Sequence, residues 1–308
     1  MIGIFLQTLP FFGVIGLGYG AARVGMFPAA ATQALTRYVF YFALSAMLFQ
    51  FAASLEIADL IQPRFIAAYL LASGVGYGFA MGVARWRGEN LQNAAMEAHA
   101  AVIGNVGFMG IPMLSILMGP AAAAWVILIL ALDFILFGSL VVILISIGRS
   151  GVLGLGAVGT IAKGLITNPM IVSIALGLAW SASGWTMPGP AQDFLSLLGA
   201  GATPGALFAI GASLAGAQLA RLAIAGWISV MKVGLHPALA AIAAFVVFDV
   251  EPYAASVMVA AAALPVAGNV YILAAHYGIT PTRISASILI STLIAVGSVS
   301  AIISLVGA

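Results

Sequence analysis

The sequence contains no cysteine and very little charge. Without cysteine among its 308 residues, the chain can form no disulfide, thiolate metal site or cysteine nucleophile. Charged residues make up 6% of the chain, whereas a soluble domain carries roughly 25%. Because so few charges cannot cover a water-facing surface, the composition predicts an integral membrane protein. Its Lys and Arg residues are scattered singly, without the basic cluster that nucleic acid binding requires.

The sequence also lacks the motifs of enzymes that act within membranes. It has no His-Glu-x-x-His, no closely spaced Asp pair and no Gly-x-Ser-x-Gly, which are patterns that bind zinc or position a nucleophile. One Gly-x-Gly-x-x-Gly occurs at 154–159, but no acidic residue lies about 20 positions later, as a dinucleotide site requires. We therefore predict a protein that is not an enzyme and that binds neither a cofactor nor a metal ion.

Long apolar runs dominate the sequence, in which 64% of residues are hydrophobic and the mean hydropathy is +1.20. A helix needs about 20 mostly apolar residues to span a bilayer. Runs of this length, separated by polar residues or by Gly and Pro, predict an all-α integral membrane protein with ten transmembrane helices. The predicted segments are residues 3–22, 35–54, 65–84, 92–118, 121–147, 168–186, 192–216, 224–248, 253–277 and 283–306.

The distribution of Lys and Arg predicts how these segments are oriented, because cytoplasmic loops carry an excess of basic residues. With the N-terminus on the outer side, only Arg64 falls in an outer loop, and Lys232 falls inside a segment. We therefore place both termini on the periplasmic side of the inner (plasma) membrane. The basic residues then assigned to the cytoplasmic side are Arg23, Arg37, Arg85, Arg87, Arg149, Lys163, Arg221 and Arg283.

The two halves of the chain resemble each other. Residues 9–28 and 168–188 both run from one Pro to another through small apolar residues, and Gly-Asn-Val occurs at 104 and again at 268. Each half holds five predicted segments, and an odd number inverts the second copy in the membrane, as in many secondary transporters. We therefore predict two inverted five-helix repeats, 1–147 and 168–308, joined by a cytoplasmic linker, 148–167. Chance similarity between apolar sequences is the alternative.

Helix-breaking residues interrupt the predicted fourth and ninth segments. GNVGFMGIP at 104–112 and LPVAGNVYI at 264–272 place Gly and Pro within apolar runs, where they favour a break. Non-helical backbone in a bilayer is tolerated only inside protein or at a polar cavity. A broken helix presents amide N–H groups that can bind an anion, and Asn105 and Asn269 add hydrogen-bonding groups. The alternative is that both helices are merely kinked.

Ionisable residues within the predicted segments are candidates for function, because charge is costly at membrane depth. We consider an ion pair between Asp133 and Lys232, and a coupling proton carried by Glu97 or Asp133. A static pair, or a side chain that reaches the interface, is the alternative for each, and His276 is predicted to lie at the interface. No basic residue neighbours either break in the sequence, which favours monoanions, or dianions neutralised by a coupled cation.

Three motifs resemble the auxin efflux carrier (AEC) family, which includes bacterial malonate transporter-like proteins and has the plant PIN proteins as distant relatives. They are GNVGFMGIPML at 104–114, TPGALFAIGASLAG at 203–216 and AALPVAGNVYILAAHYG at 262–278. The resemblance implies a ten-helix fold in which broken helices 4 and 9 cross at their prolines. It also implies a scaffold domain of helices 1, 2, 6 and 7, through which members usually form homodimers, and a transporter domain of helices 3–5 and 8–10.

The resemblance also implies a substrate site. Asn105 corresponds to the Asn of the fourth helix that helps to bind a substrate carboxylate, and Pro265 precedes the half-helix whose amides face that carboxylate. Thr203 is a further candidate because its hydroxyl could contact substrate, although a hydroxyl satisfied within its own helix is the alternative. The candidate substrate-binding residues are Gly104, Asn105, Pro112, Thr203, Pro265, Val266, Ala267, Gly268 and Asn269.

These features predict a secondary transporter that moves small organic anions, above all carboxylates, by efflux or exchange through alternating access. Its partners would be the anion and the lipid bilayer. The alternatives are a sodium-coupled organic-anion symporter with a bile-acid-transporter-like fold, an anion channel and an intramembrane enzyme. A channel would be expected to contain rings of one residue type, and saturable counterflow in vesicles would distinguish a carrier from it.

Overall fold

The computed structural model of the protein describes residues 2–54, 62–150, 166–216 and 222–306, together with residues 159 and 163. Within these ranges the backbone is helical and forms one isolated β-bridge but no strand, so the predicted all-α class is confirmed. Most of the predicted linker, including residues 154–158 of the glycine motif, lies outside the described residues, as do Arg221 and the side chain of His276.

The described chain forms twelve principal helices. They are α1 (Ile2–Arg23), α2 (Ala29–Ala53), α3 (Pro63–Trp86), α4 (Leu91–Val102), α5 (Val106–Leu117), α6 (Ala122–Arg149), α7 (Pro169–Ser183), α8 (Gly189–Leu214), α9 (Leu222–Val247), α10 (Pro252–Ala262), α11 (Gly268–Tyr277) and α12 (Pro281–Val306). Several contain π-helical turns, at Val39–Ala43 in α2, Val106–Gly110 in α5, Asp133–Phe137 in α6, and Met231–Leu235 and Ile242–Val247 in α9.

Six of these helices, α2, α3, α6, α8, α9 and α12, are long and apolar enough to cross a bilayer. Large apolar side chains such as those of Leu17, Val246 and Leu305 are exposed on the outer surface, as a lipid environment allows. The predicted segments 92–118 and 253–277 are each divided in two, the first into α4 and α5 and the second into α10 and α11.

The helices pack in two groups. In one group, α1 packs along α8, and α2 packs against α7 and α8; in the other, α3, α4, α6, α9, α10 and α12 pack mainly against one another. A methyl group on Gly211 would lie 1.9 Å from the backbone oxygen of Ile15, and one on Gly18 would lie 2.1 Å from that of Phe208. Glycine therefore permits the close approach of α1 and α8, as small residues do between membrane helices.

Polar side chains cap the N-termini of α4, α7 and α10. Asn90 Oδ1 accepts a hydrogen bond from the Asn93 amide at 2.8 Å at the start of α4, and Asn168 Oδ1 accepts from the Met170 amide at 3.0 Å at the start of α7. The Glu251 carboxylate caps α10 in the same way. Such caps satisfy amides that the first turn of a helix leaves free, and they fix where α4, α7 and α10 begin.

Candidate functional site

Both predicted helix interruptions are present. α4 ends at Val102 and α5 begins at Val106, while α10 ends at Ala262 and α11 begins at Gly268. Pro265 lacks an N–H group and its ring clashes with the preceding turn, which explains why α10 ends just before it. The prediction of broken helices is therefore confirmed, in preference to simple kinks.

The two interrupted stretches cross and pair through their backbones. Gly104 and Val266 form an antiparallel β-bridge. The Asn105 N–H donates to the Pro265 carbonyl at 2.9 Å, and the Ala267 N–H donates to the Ile103 carbonyl at 3.1 Å. Unpaired backbone groups are costly in a bilayer, so each break supplies the hydrogen bonds that the other has lost.

This pairing changes which amides can meet a ligand. The resemblance implied the amides of Val266, Ala267 and Gly268. The Val266 N–H instead donates to Ser291 Oγ of α12 at 3.1 Å, and the Ala267 N–H takes part in the crossing. Among the described residues, several N–H groups at the start of α5 and of α11 have no hydrogen-bond acceptor. These free donors belong to Gly107, Phe108, Gly268 and Asn269.

A small cavity lies beside the crossing. The volume within it that the centre of a water molecule can occupy is about 10 Å³. The cavity therefore has room for about one water molecule. Five of the residues singled out in the sequence line it, and the remaining lining residues are mainly apolar. The five are Gly104, Asn105, Asp133, Ala267 and Asn269.

Three oxygen atoms of these lining residues have no hydrogen-bond partner among the described residues: Asn105 Oδ1, Asn269 Oδ1 and Asp133 Oδ2. Asn105 and Asp133 are each 4% exposed. A buried polar group without a partner costs about 1–3 kcal/mol, so such groups indicate a place where a ligand completes the hydrogen bonding. The side-chain amide of each Asn carries a donor nitrogen and an acceptor oxygen in one plane, so each Asn can turn its donor or its acceptor toward a ligand.

Asp133 and Lys232 belong to the same buried polar region, but the described residues do not include the direct ion pair that we considered from the sequence. The Tyr69 hydroxyl of α3 donates to Asp133 Oδ1 at 2.5 Å. Lys232 Nζ donates to the Ala262 carbonyl at 2.5 Å and lies 3.3 Å from His236 Nδ1. Each charge is thus held by a nearer partner, although the two still interact electrostatically.

Lys232 places a buried positive charge directly behind the crossing. Its side chain is fully buried, and a methyl group on Gly104 would lie 3.1 Å from Nζ. The carbonyl of Ala262 ends α10, so it is unpaired within its helix and carries partial negative charge, which draws Nζ toward the break. This charge cannot be seen in the sequence around either break, because α9 supplies it from a distant part of the chain.

Glu97 forms buried ion pairs and does not line the cavity. Its carboxylate contacts the guanidinium groups of Arg87 and Arg283, and Arg283 also lies 2.9 Å from Glu89. The sequence assigned Arg283 to the cytoplasmic side, and in the structure it is only 4% exposed because two carboxylates hold it at the first turn of α12. With two guanidinium partners, Glu97 is better explained as a structural counter-charge than as a carrier of a coupling proton.

Five of the nine candidate substrate-binding residues lie outside the cavity lining. Val266 and Gly268 belong to the crossing region, and Thr203 is partly exposed in α8. Pro112 is buried in the first turn of the α-helical part of α5, where a missing N–H is tolerated. Of the two prolines expected at the crossing, only Pro265 is therefore found there.

The structure adds residues that the sequence did not indicate. Met170, in the first turn of α7, lines the cavity, and a methyl group on Gly107 would lie 2.6 Å from its Cε. The ring of Phe108 stacks on that of Phe40 in α2, with centroids 6.5 Å apart. No local motif points to Met170 or Phe40, since both reach the site from the other packing group.

Comparison with known proteins supplies the family. The sequence model of a family described as membrane transport protein matches residues 4–152 and 157–303. The chain belongs to this family, the auxin efflux carriers. The chain is 31% identical over 307 residues to a protein of Rhizobium meliloti (strain 1021) named "Putative malonate transporter", with 97% of the chain and 94% of that relative covered. The predicted family is confirmed, and the protein is a membrane transporter rather than an enzyme.

Proposed function

We propose that the protein is a secondary transporter of small organic anions that carry a carboxylate, and that the anion binds where α4–α5 crosses α10–α11. The observation that carries this proposal is the meeting of two helix starts, each with free N–H groups and an Asn, at one cavity. Helix N-termini attract anions through partial positive charge and directed N–H groups. Asn105 and Asn269 can each donate a further hydrogen bond to a carboxylate oxygen.

The position of Lys232 supports an anionic substrate. Its ammonium group lies behind Gly104, where burial leaves it little screened by salt or water. It can attract a carboxylate without touching it. The relative's name points to malonate, a dianion with two carboxylates. One carboxylate could meet the amides of Gly107 and Phe108 and the other those of Gly268 and Asn269.

The size and place of the cavity support transport by alternating access. Room for about one water molecule is too little for malonate, so the site must open to admit it. We assign α1, α2, α7 and α8 to a scaffold and α3–α6 with α9–α12 to a transporter domain, which the two packing groups support. The cavity lies at their boundary, because Met170 belongs to α7. Movement of one domain against the other would open it.

The wider organisation belongs to the same proposal. The breaks occur at the same place in each half, which supports two inverted repeats of five membrane crossings, 1–147 and 168–308. The basic residues support periplasmic termini in the inner membrane. We further propose that the scaffold helices form the contact in a homodimer.

Replacing Asn105 with Asp tests the site. The variant keeps the size of the side chain but adds a negative charge to the cavity. Two unit charges about 4 Å apart repel by roughly 4 kcal/mol at an effective dielectric constant of about 20, so malonate affinity should fall at least about tenfold. The assays are malonate-induced thermal stabilisation of the purified protein and counterflow of labelled malonate in proteoliposomes.

The matched control is Asn90→Asp, on the exposed first residue that caps α4, where Asp serves as well as Asn. This variant should bind and exchange malonate like the wild type. Unchanged malonate affinity in Asn105→Asp would remove the site assignment. A wild type that conducts malonate without saturation would be a channel, and one that handles no carboxylate would refute the proposed function.

A further inference from the structure

Asp133 has no evident place in a site for anions. Among the described residues that line the cavity, it is the one ionisable group. It lies in the π-helical turn of α6, and such turns are frequent at functional sites. Its Oδ1 accepts the Tyr69 hydrogen bond, while Oδ2 has no partner in the part of the chain that the structure describes. A fixed negative charge here would repel a carboxylate, so something must neutralise it when substrate binds.

We propose that Asp133 takes up a proton together with the substrate anion, which makes the transporter a proton–anion symporter. This inference rests on the proposed function, because it assigns the coupled ion of the same site. The proton binds the free Oδ2, while the Tyr69 hydroxyl keeps its hydrogen bond to Oδ1. It comes from the water on the side to which the site is open, and it leaves with the anion on the other side.

The groups that face Asp133 explain why a proton is needed. Tyr69 approaches Asp133 from α3 and Lys232 approaches it from α9. His236, also on α9, lies beside these two groups, with its ring centroid 6.2 Å from that of Tyr69 and its Nδ1 3.3 Å from Lys232 Nζ. Without substrate, the Lys232 ammonium compensates the Asp133 carboxylate. An entering carboxylate competes for the same positive charge, and the excess negative charge is costly in a buried site. One proton on Asp133 removes that excess and leaves Lys232 to compensate the substrate.

Linkage fixes the direction of coupling. If protonation of Asp133 strengthens anion binding, anion binding strengthens proton binding by the same factor. The loaded site therefore carries both, and the two cross the membrane in the same direction. Competition between proton and anion, which an antiporter requires, is the opposite of what the charges around Asp133 favour.

Neither Glu97 nor His99 is placed to take up a proton together with the substrate. Glu97 is held by two guanidinium groups, and neither residue lines the cavity. A sodium ion would need several oxygen ligands at one point, as hard cations do. Asp133, Asn105 and Asn269 could supply three, so sodium is an explicit outcome of the test.

The first experiment uses the wild type in proteoliposomes with the membrane potential clamped at zero. With equal malonate on both sides and an inward proton gradient of about one pH unit, coupling to one proton predicts that malonate accumulates about tenfold inside. An inward sodium gradient at equal pH should produce no accumulation. Malonate exchange without proton-driven accumulation, or accumulation driven by sodium instead, overturns the inference.

The second experiment compares two Asp→Asn variants. Asp133→Asn imitates the protonated carboxyl permanently, so proton-driven accumulation should fall to a ratio of about one. Thermal stabilisation by malonate should persist in this variant and lose its dependence on pH, whereas wild-type stabilisation weakens at alkaline pH. Asp193→Asn alters an exposed carboxylate near the start of α8 and should keep both wild-type properties. Proton-driven accumulation in Asp133→Asn would overturn the assignment of the residue.

The failures of the two proposals can be told apart. If the wild type neither binds nor exchanges malonate or any other carboxylate in a panel, the proposed function fails and this inference fails with it. If exchange occurs but is indifferent to the proton gradient, only this inference fails. Should Asp133→Asn not fold, the wild-type gradient measurement still decides.

Discussion

The hydroxyl of Ser291 is expected to hold the crossing together. It lies on α12 with its side chain fully buried, and it accepts the hydrogen bond of the Val266 N–H at 3.1 Å. Ser291→Ala leaves that amide buried without an acceptor, which costs about 1–3 kcal/mol. A loss of this size should lower the apparent Tm of the purified protein by about 2–10 °C. Hydrogen exchange of the peptide that contains Val266 should also become faster.

Ser304→Ala is the matched control, because this residue lies on the same helix and its hydroxyl donates to the Ser300 carbonyl at 2.8 Å. That carbonyl lies within a continuous helix, where it also accepts a backbone hydrogen bond, so the substitution strands no buried donor. Its Tm should stay close to that of the wild type. If the two variants unfold at the same temperature and exchange at the same rate, Ser291 does not support the crossing, and our account of how the breaks are satisfied is wrong.

Two further substitutions test the packing around the site. Arg283→Gln removes one of the two guanidinium partners of the buried Glu97 carboxylate and should destabilise the protein by about 3–5 kcal/mol. Arg37→Gln, at an exposed position, should have little effect in the same denaturation assay. Gly211→Ala would place a methyl group 1.9 Å from a backbone oxygen of α1 and should greatly reduce the yield of folded protein. The control Gly226→Ala, where the added methyl group would meet no atom within 4 Å, should express normally. Equal yields of the two variants would contradict the close approach of α1 and α8.

Much of the helical architecture could be predicted from the sequence, because membrane helices follow from local hydropathy. The two breaks were also predictable, since Gly and Pro act on the backbone where they occur. Which amides remain free was not predictable, because Val266 and Ala267 are taken by Ser291 and Ile103 from other segments. Only three-dimensional packing decides such competition.

The placement of charge was harder to foresee for the same reason. The sequence assigned Arg283 only to the cytoplasmic side, and the approach of Glu97 and Glu89 from another segment is what buries its guanidinium group. Lys232 is far in sequence from both breaks, yet α9 brings its ammonium group to Gly104. Asp133 was recognised as a buried charge, but the sequence held no sign that Tyr69 would occupy one of its oxygens and leave the other free.

The reciprocal backbone bonds between residues 103–105 and 265–267 bear on reversibility. Because each stretch holds the other, the ligand-binding groups that we propose would keep their mutual geometry while the surrounding helices rearranged. The substrate anion would then meet the same contacts whether it arrives from the periplasm or from the cytoplasm. Such a carrier has no built-in preference for import or export, and the concentrations and voltage on either side would determine which way it runs.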